Sequence, residues 1–391
     1  MKGRRPAGRR PATWALIAGG GTGGHVIPAI AVGRALVARG HPASTIGFVG
    51  SARGLERRLV PEAGFDVTLL PGRGITRRVS WANVVALAGL AVAAVRAQAL
   101  VGTRRPSVVV SVGGYASVAC VLAAVAWRVP LVVVEQNAVP GLANRLAGRF
   151  AAACAVPYPG TLLPRAVVTG NPVRPEIAAL DRSVEGRAGA RQALGLPADG
   201  VVVVVVGGSL GASRINRAVL GLVRAWSNRS GVAVRHVVGA RDWAKVGGAP
   251  GSRGPGASGP VAGGLVYQQV RFEDRMDLMM AAADVAVSRA GATTVSELAA
   301  AGLPAVLVPL PGAPGDHQRL NARQLEQAGA AVVVPDGELD AARLAAELDR
   351  LIGDPQRLDA MASAARTLAR PGAADAVAAL VEALAEAHAR G

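Results

Sequence analysis

Residues Gly19 to Ala29 read GGGTGGHVIPA, five glycines in six positions with an imidazole directly after them. Glycine loses more conformational freedom on folding than any other residue, so such a cluster means that the backbone must come close to something. A glycine turn that feeds a helix presents free N–H groups at the positive end of the helix dipole, which suits a phosphate or another polar ligand. The glycines are contiguous and no clear acidic partner follows near the end of the next strand, so this is a poor dinucleotide fingerprint. No Gly-Lys-Ser/Thr occurs, so it is not a Walker loop either. His25 has two readings: a capping or packing histidine, or a general base whose proton affinity matches the working pH.

Two more stretches could seat an anion. GGSLGAS spans Gly207 to Ser213, and SRAGATTVSE spans Ser288 to Glu297. The second puts Gly291, Ala292, Thr293 and Thr294 where a helix should begin, so N–H groups and hydroxyls could hold a diphosphate. Glu297 lies one turn inside that helix. A carboxylate beside a phosphate is repulsive unless it serves sugar hydroxyls, which makes it a candidate ribose acceptor. The other reading is an ordinary solvated helix glutamate. The acids and histidines show no metal-ligand spacing and no Asp-x-Asp occurs, so no metal and no cofactor is expected. Helix dipoles and hydroxyls would then have to stabilise the charge of a departing nucleoside diphosphate.

The elements that must position these residues alternate between strand-like and helix-like patterns. WALIAGGG, TIGFVGS, SVVVSVGG, PLVVVEQN and AAACAVPY read as buried strands, and HVIPAIAVGRALVARG as a helix with Ile30, Leu36 and Val37 at helical spacing. This is the look of a parallel sheet with helices on both faces. VVTGNPVRPEI breaks the rhythm with two prolines, and a linker is expected around Thr169 to Pro175. The plan then restarts with VVVVVVGGSLGASRINRAVLGL and the strands RHVVGA, GLVYQQV, DVAVSRAG and PAVLVPLP. Gly247–Gly264 is of low complexity and reads as a surface loop. A last helix over Asp375–Ala389 carries Val377, Leu380, Val381 and Leu384 on one apolar stripe. The resulting domains are a disordered basic tail at 1–13, an N-terminal Rossmann-like domain at 14–170, a second at 171–370, and a terminal helix at 371–391.

Composition agrees with two α/β domains in 391 residues. Hydrophobic residues make up 51% and aromatics 3%, so the core must be built from Val, Leu and Ala. Cys120 and Cys154 both sit in apolar settings and read as free thiols rather than a disulfide, which fits a reducing compartment. The net charge of +17 favours anionic partners. RNA-type aromatic patterns and zinc-finger spacings are missing, so nucleic acid is not expected. Val84–Val95 stops at Arg96 and Tyr115–Trp127 at Arg128, both short of a membrane span. The basic start Lys2–Arg10 is followed by too short an apolar stretch for a signal peptide.

Taken in order, GGGTGGHVIPA, GGYAS, EQNAVPGLAN, GNPVR, GGSLGASRIN, SRAGATTVSELAAAGLPAVLVPLP and DHQRLNA resemble the MurG family of peptidoglycan glycosyltransferases from about Trp14 to the last helix. The resemblance implies a GT-B fold: two Rossmann-like parallel-sheet domains facing a cleft, with the C-terminal helix crossing back to the first. It implies transfer of N-acetylglucosamine, with inversion, from UDP-N-acetylglucosamine to the 4-hydroxyl of the muramyl sugar of an undecaprenyl-linked muramyl-pentapeptide, giving lipid II. Thr22, Gly23, Gly24 and His25 would line the acceptor side, with His25 as base. Tyr115 and Asn137 would also face the cleft from the first domain. Arg174 and Ser209 would contact the nucleotide, and the backbone near Phe272 and Glu273 would read uracil. Ala292, Thr293 and Thr294 would hold phosphates and Glu297 the ribose. Gln318 with His317 would read the sugar hydroxyls. The chain departs from the family pattern at Val134, where a histidine often precedes EQN, at SVAC after GGYAS, and at His317, where some relatives carry glutamine.

A lipid-linked acceptor places the enzyme at the cytoplasmic face of the membrane, bound peripherally to an anionic surface. Gly72–Leu90 combines Arg73, Arg77 and Arg78 with Ile75, Val79, Trp81, Val84 and Val85, which suits an interfacial patch; an amphipathic helix with its apolar side in the core is the other reading. The rival function is another GT-B enzyme on the same donor, an epimerase or a lipid glycosyltransferase. A membrane-bound sugar-nucleotide binder without activity is a third.

Overall fold

A run such as Val201–Val206, six valines long, leaves no face for water, so its sheet must be covered on both sides. The computed structural model describes residues 13–71, 81–208, 211–246 and 264–390 and has two such sheets. The first contains β1 (Ala15–Gly19), β2 (Ile46–Ser51), β3 (Asp66–Leu70), β4 (Val108–Gly113), β5 (Leu131–Val134), β6 (Ala153–Val156) and β7 (Ala166–Val168). Their order is β3-β2-β1-β4-β5-β6-β7, all parallel. The second contains β8 (Val201–Val206), β9 (Val232–Val237), β10 (Val266–Val270), β11 (Val285–Ser288), β12 (Ala305–Leu307) and β13 (Ala331–Val333), in the order β10-β9-β8-β11-β12-β13 and again parallel. Both orders reverse direction beside their first strand. Such doubly wound sheets place ligands outside the carboxyl ends of the strands at that switch point.

The chain divides into two compact units. One holds the described residues of 1–136, 140–172 and 373–391, the other 137–139 and 173–372. Each sheet is packed on both faces: Ile17, Val110 and Val132 face one cluster in the first unit, and Leu16, Val109 and Val133 the other. Val203 and Val205 alternate with Val202 and Val204 in the same way in the second.

The helix Gly23–Ala38 follows β1. Its buried side runs through Val26, Ala29, Val32 and Leu36. Val37, expected on that stripe, is exposed, because one residue is a rotation of about 100° away from Leu36. The terminal helix Ala373–Arg390 packs on this helix. Val377, Ala378, Val381 and Ala385 enter the first unit's core, while Leu380 and Leu384 stay partly buried. Arg39 pairs with Asp375 at 2.9 Å and Glu382 at 2.8 Å, and His41 meets Glu382 at 3.0 Å. Cys120 and Cys154 are free thiols, and burial pushes them up to about 12 and about 11. No helix among the described residues is long and apolar enough to cross a membrane. The low-complexity stretch lies outside the described residues except for Gly264.

Candidate functional site

In the first unit, the glycine turn connects β1 to the helix Gly23–Ala38 at the switch point between β1 and β4. Gly20 and Gly21 have φ of +155° and +100°, and Thr22 takes an extended conformation as the residue before the helix. Thr22 accepts the N–H groups of His25 and Val26 through its carbonyl. Its hydroxyl lies 3.3 Å from His25 Nδ1. The other side of the imidazole rests on Gly113, where a Cβ would sit 3.1 Å from Nε2. Gly114, in the left-handed region at φ +88°, lets the β4 turn approach Gly20: a Cβ there would be 2.4 Å from the Gly20 carbonyl oxygen. Tyr115 opens the helix Tyr115–Ala126 and donates its hydroxyl to Pro71 O at 3.3 Å.

Thr22, Gly23, Gly24, His25 and Tyr115 are therefore gathered by two adjacent strand ends. The expected phosphate seat is narrower than its glycine content suggests. Gly20 N–H donates to Gly113 O, and Gly21 N–H donates to the carboxylate of Glu56 at 3.2 and 3.0 Å. Glu56 is buried and was missed in the sequence. At the start of a helix an acid reads as solvated, and only the flanking Gly50 and Gly54 hint otherwise.

In the second unit, Ser209 lies outside the described residues. The rest of its loop is braced from behind. Gly211, at φ +92°, leaves no room for a side chain, since a Cβ would meet Val238 O at 2.4 Å. Asp242 accepts Ser213 Oγ at 3.0 Å and Asn216 Nδ2 at 3.1 Å. Asn216 Oδ1 meets His236 Nε2 at 2.9 Å, His236 Nδ1 meets the Tyr267 hydroxyl at 2.9 Å, and Gln269 donates to that hydroxyl at 2.7 Å. Burial pushes His236 down to about 4, so it is neutral at pH 7. One assignment of protons then satisfies the chain: Tyr267 donates to Nδ1 and Nε2–H donates to Asn216.

The third turn leads from β11 through Gly291, the residue before the helix Ala292–Ala301. Here Ser288 Oγ, Thr293 Oγ1 and Glu297 Oε1 are buried and have no hydrogen-bond partner among the described residues. Arg174 Nη1 stands 3.3 Å from Glu297 Oε1 and 3.4 Å from Oε2. Burial nevertheless dominates and raises the carboxyl to about 7, with Arg174 opposing it. Ala292, Thr293, Thr294, Glu297 and Arg174 thus share one place. Glu273 differs: its carboxylate is held by Arg235 at 2.9 and 2.7 Å and accepts Arg275 N–H. His317 Nδ1 donates to Pro314 O at 2.7 Å, and Gln318 accepts Leu310 N–H at 2.9 Å.

Asn137 was expected on the first domain. It clusters with the second unit instead, because Asn321 holds the segment. Fully buried Asn321 accepts Ala138 N–H at 2.9 Å and donates to Asn137 Oδ1 at 3.2 Å and Ala290 O at 3.3 Å. Asn321 lies within DHQRLNA, and its fork of donor and acceptor is visible only once the loops are placed.

Residues 15–156 match the glycosyltransferase family 28 N-terminal domain and residues 202–378 its C-terminal domain. The chain is 43% identical over 354 residues to a UDP-N-acetylglucosamine--N-acetylmuramyl-(pentapeptide) pyrophosphoryl-undecaprenol N-acetylglucosamine transferase of a Nocardioides species, covering 90% of this chain and 93% of that protein. A transferase of the same name from Desulforudis audaxviator is 38% identical over 377 residues, covering 95% and 98%. The crystal structure of MurG from Acinetobacter baumannii superposes with a TM-score of 0.71 at 27% identity, covering 95% of this chain and 99% of that one. The chain belongs to the MurG family of glycosyltransferases. The family's GT-B architecture, with two Rossmann-like sheets, is the one described above.

Proposed function

We propose that this protein transfers N-acetylglucosamine from UDP-N-acetylglucosamine to the 4-hydroxyl of the muramyl sugar of a polyprenyl-diphosphate-linked muramyl-pentapeptide. The observation that carries this reading is the β11 turn, read together with family membership. Three buried polar groups there, Ser288 Oγ, Thr293 Oγ1 and Glu297 Oε1, have no hydrogen-bond partner among the described residues, beside a helix N-terminus; Glu297 Oε1 has only the ion pair to Arg174. A buried group without a partner loses its hydration uncompensated, and a bound ligand restores the bonds.

In this reading Glu297 accepts the ribose hydroxyls, and Arg174 balances its charge from 3.3 Å. Ala292, Thr293 and Thr294 hold the diphosphate through N–H groups and hydroxyls. Ser209 adds a nucleotide contact, and the backbone near Phe272 and Glu273 reads uracil. Gln318 and His317 read the transferred sugar. The acceptor oxygen attacks the anomeric carbon on the face opposite UDP. The new C–O bond forms as the bond to the diphosphate breaks, which inverts the configuration. His25 takes the hydroxyl proton on Nε2, with Nδ1–H turned to Thr22 Oγ1. The helix N-terminus at Ala292 stabilises the departing charge. Gly23, Gly24 and Tyr115 line the acceptor side.

The acceptor's lipid brings the enzyme to the cytoplasmic face of an anionic membrane. The arginines of the expected patch, Arg73, Arg77 and Arg78, lie outside the described residues, as do Ile75 and Val79. Trp81, Val84 and Val85 fall on the helix Trp81–Arg104. Further along it and later in the first unit, Val95, Trp127 and Phe150 are exposed, each next in sequence to an exposed arginine, Arg96, Arg128 and Arg149, which supports an interfacial role for the first unit. The test is turnover with UDP-N-acetylglucosamine and a lipid-linked muramyl acceptor. The reading expects UDP and a β-linked disaccharide product. UDP-N-acetylmannosamine formed without acceptor would favour an epimerase.

A further inference from the structure

Glu56 lies outside every assigned role, yet the structure makes room for it with unusual care. Its carboxylate is 1% exposed, at the first residue of the short helix Glu56–Glu62. Gly20, Gly50 and Gly54 surround it. A Cβ on Gly20 would lie 2.1 Å from Oε1, on Gly50 2.1 Å from the Cγ stem, and on Gly54 2.1 Å from Oε2. Three backbones from three segments thus close on one acid. Glu56 makes no ion pair among the described residues. Its bonds go to main-chain N–H groups: Gly21 at 3.2 and 3.0 Å, and Ser51 at 2.5 Å.

A charge taken out of water in this way is costly unless its hydrogen bonds are good, and an apolar side chain of equal size would fill the space. An apolar replacement would, however, orphan the Gly21 and Ser51 N–H groups. What the charge secures is local. It ties the end of β2 to the turn after β1, and it fixes Gly21 at φ +100° directly before Thr22 and His25.

We propose that Glu56 is a positioning residue, which pins the glycine turn so that Thr22 orients His25 toward the acceptor. The proposal rests on the assignment of His25 as the base. Glu56 contacts no reacting atom; it acts through Gly21.

Two variants test this. Glu56→Gln keeps the shape but removes the charge and turns an N–H2 toward backbone donors. Gly54→Ala keeps the carboxylate but displaces it, since its φ is not left-handed and the three atoms nearest its new Cβ all belong to the Glu56 carboxylate. In both, amide exchange in the segment 19–26 should quicken by tenfold or more. Turnover should fall ten- to a hundredfold, and UDP affinity by calorimetry should stay within twofold. Unchanged exchange in 19–26 in both variants would overturn the proposal. So would a turnover loss that merely follows a lowered melting temperature, with exchange quickened throughout the first unit. The exchange measurement needs no substrate. If the wild-type protein transfers no sugar, the assigned reaction fails, while the exchange result still decides whether Glu56 pins the turn.

Discussion

The β1 turn and the β11 turn are both glycine-containing entries to helices, and they manage their polar groups in opposite ways. At β1, the N–H groups of Gly20 and Gly21 are taken by Gly113 O and by the buried Glu56 carboxylate. At β11, the hydroxyls of Ser288 and Thr293 and one oxygen of Glu297 are buried with no hydrogen-bond partner among the described residues. The first turn has two of its N–H groups taken within the protein; the second keeps buried oxygens that the proposed donor would complete. A helix N-terminus alone does not distinguish the two. In the proposed function the first turn serves to hold His25 still, and the second to hold the donor.

That comparison can be broken in several places. The largest effect is expected at His25: His25→Ala should lower turnover by about a hundredfold or more with donor affinity kept, measured by steady-state kinetics beside calorimetry. A loss of donor affinity at full turnover number would move His25 to the donor side. Next comes Glu297→Ala, which leaves the ribose hydroxyls without a charged acceptor and should weaken UDP binding by about 1.5–3 kcal/mol. Binding within twofold of wild type in a folded variant would contradict the assignment.

Protonation sharpens the same point. Glu297 is raised from 4.5 to about 7 by burial. The neutral form is therefore favoured by folding, and its stabilisation is full below about pH 4.5 and lost as pH rises through 7. Donor hydroxyls prefer the carboxylate, so affinity for UDP-N-acetylglucosamine should rise from pH 6 to 8. Its doubly esterified diphosphate does not titrate there. In Glu297→Gln both slopes should flatten. Behind the β8 loop, Asn216→Ala removes partners of His236 and Asp242 and should cost about 1–3 kcal/mol of stability in chemical unfolding. The smallest effect is expected at the terminal helix, where Val381→Ala removes two buried methyl groups, about 1–2 kcal/mol, and should leave UDP affinity unchanged.

Much of this was legible in the sequence because unbroken valine runs and glycine punctuation mark parallel strands strongly. The ten strands read from pattern all occur. Among the described residues three further strands, β3, β7 and β13, are short or lie at a sheet edge, where DVTLL and AVV carry little signal. Glu297 stood out because a carboxylate at a phosphate seat needs a reason. Glu56, Asn321 and the chain from Asp242 to Gln269 did not stand out. Their partners are backbone groups or residues from distant segments, and no local spacing encodes them. Asn137 went to the other unit for the same cause: its position is decided by Asn321, 184 residues away.

The most direct test of the division of labour is donor affinity, measured by calorimetry with UDP-N-acetylglucosamine on His25→Ala and Glu297→Gln side by side. The account predicts that His25→Ala binds the donor within twofold of wild type while Glu297→Gln binds it about tenfold or more weakly. Equal weakening in both variants, or weakening in His25→Ala alone, would contradict it.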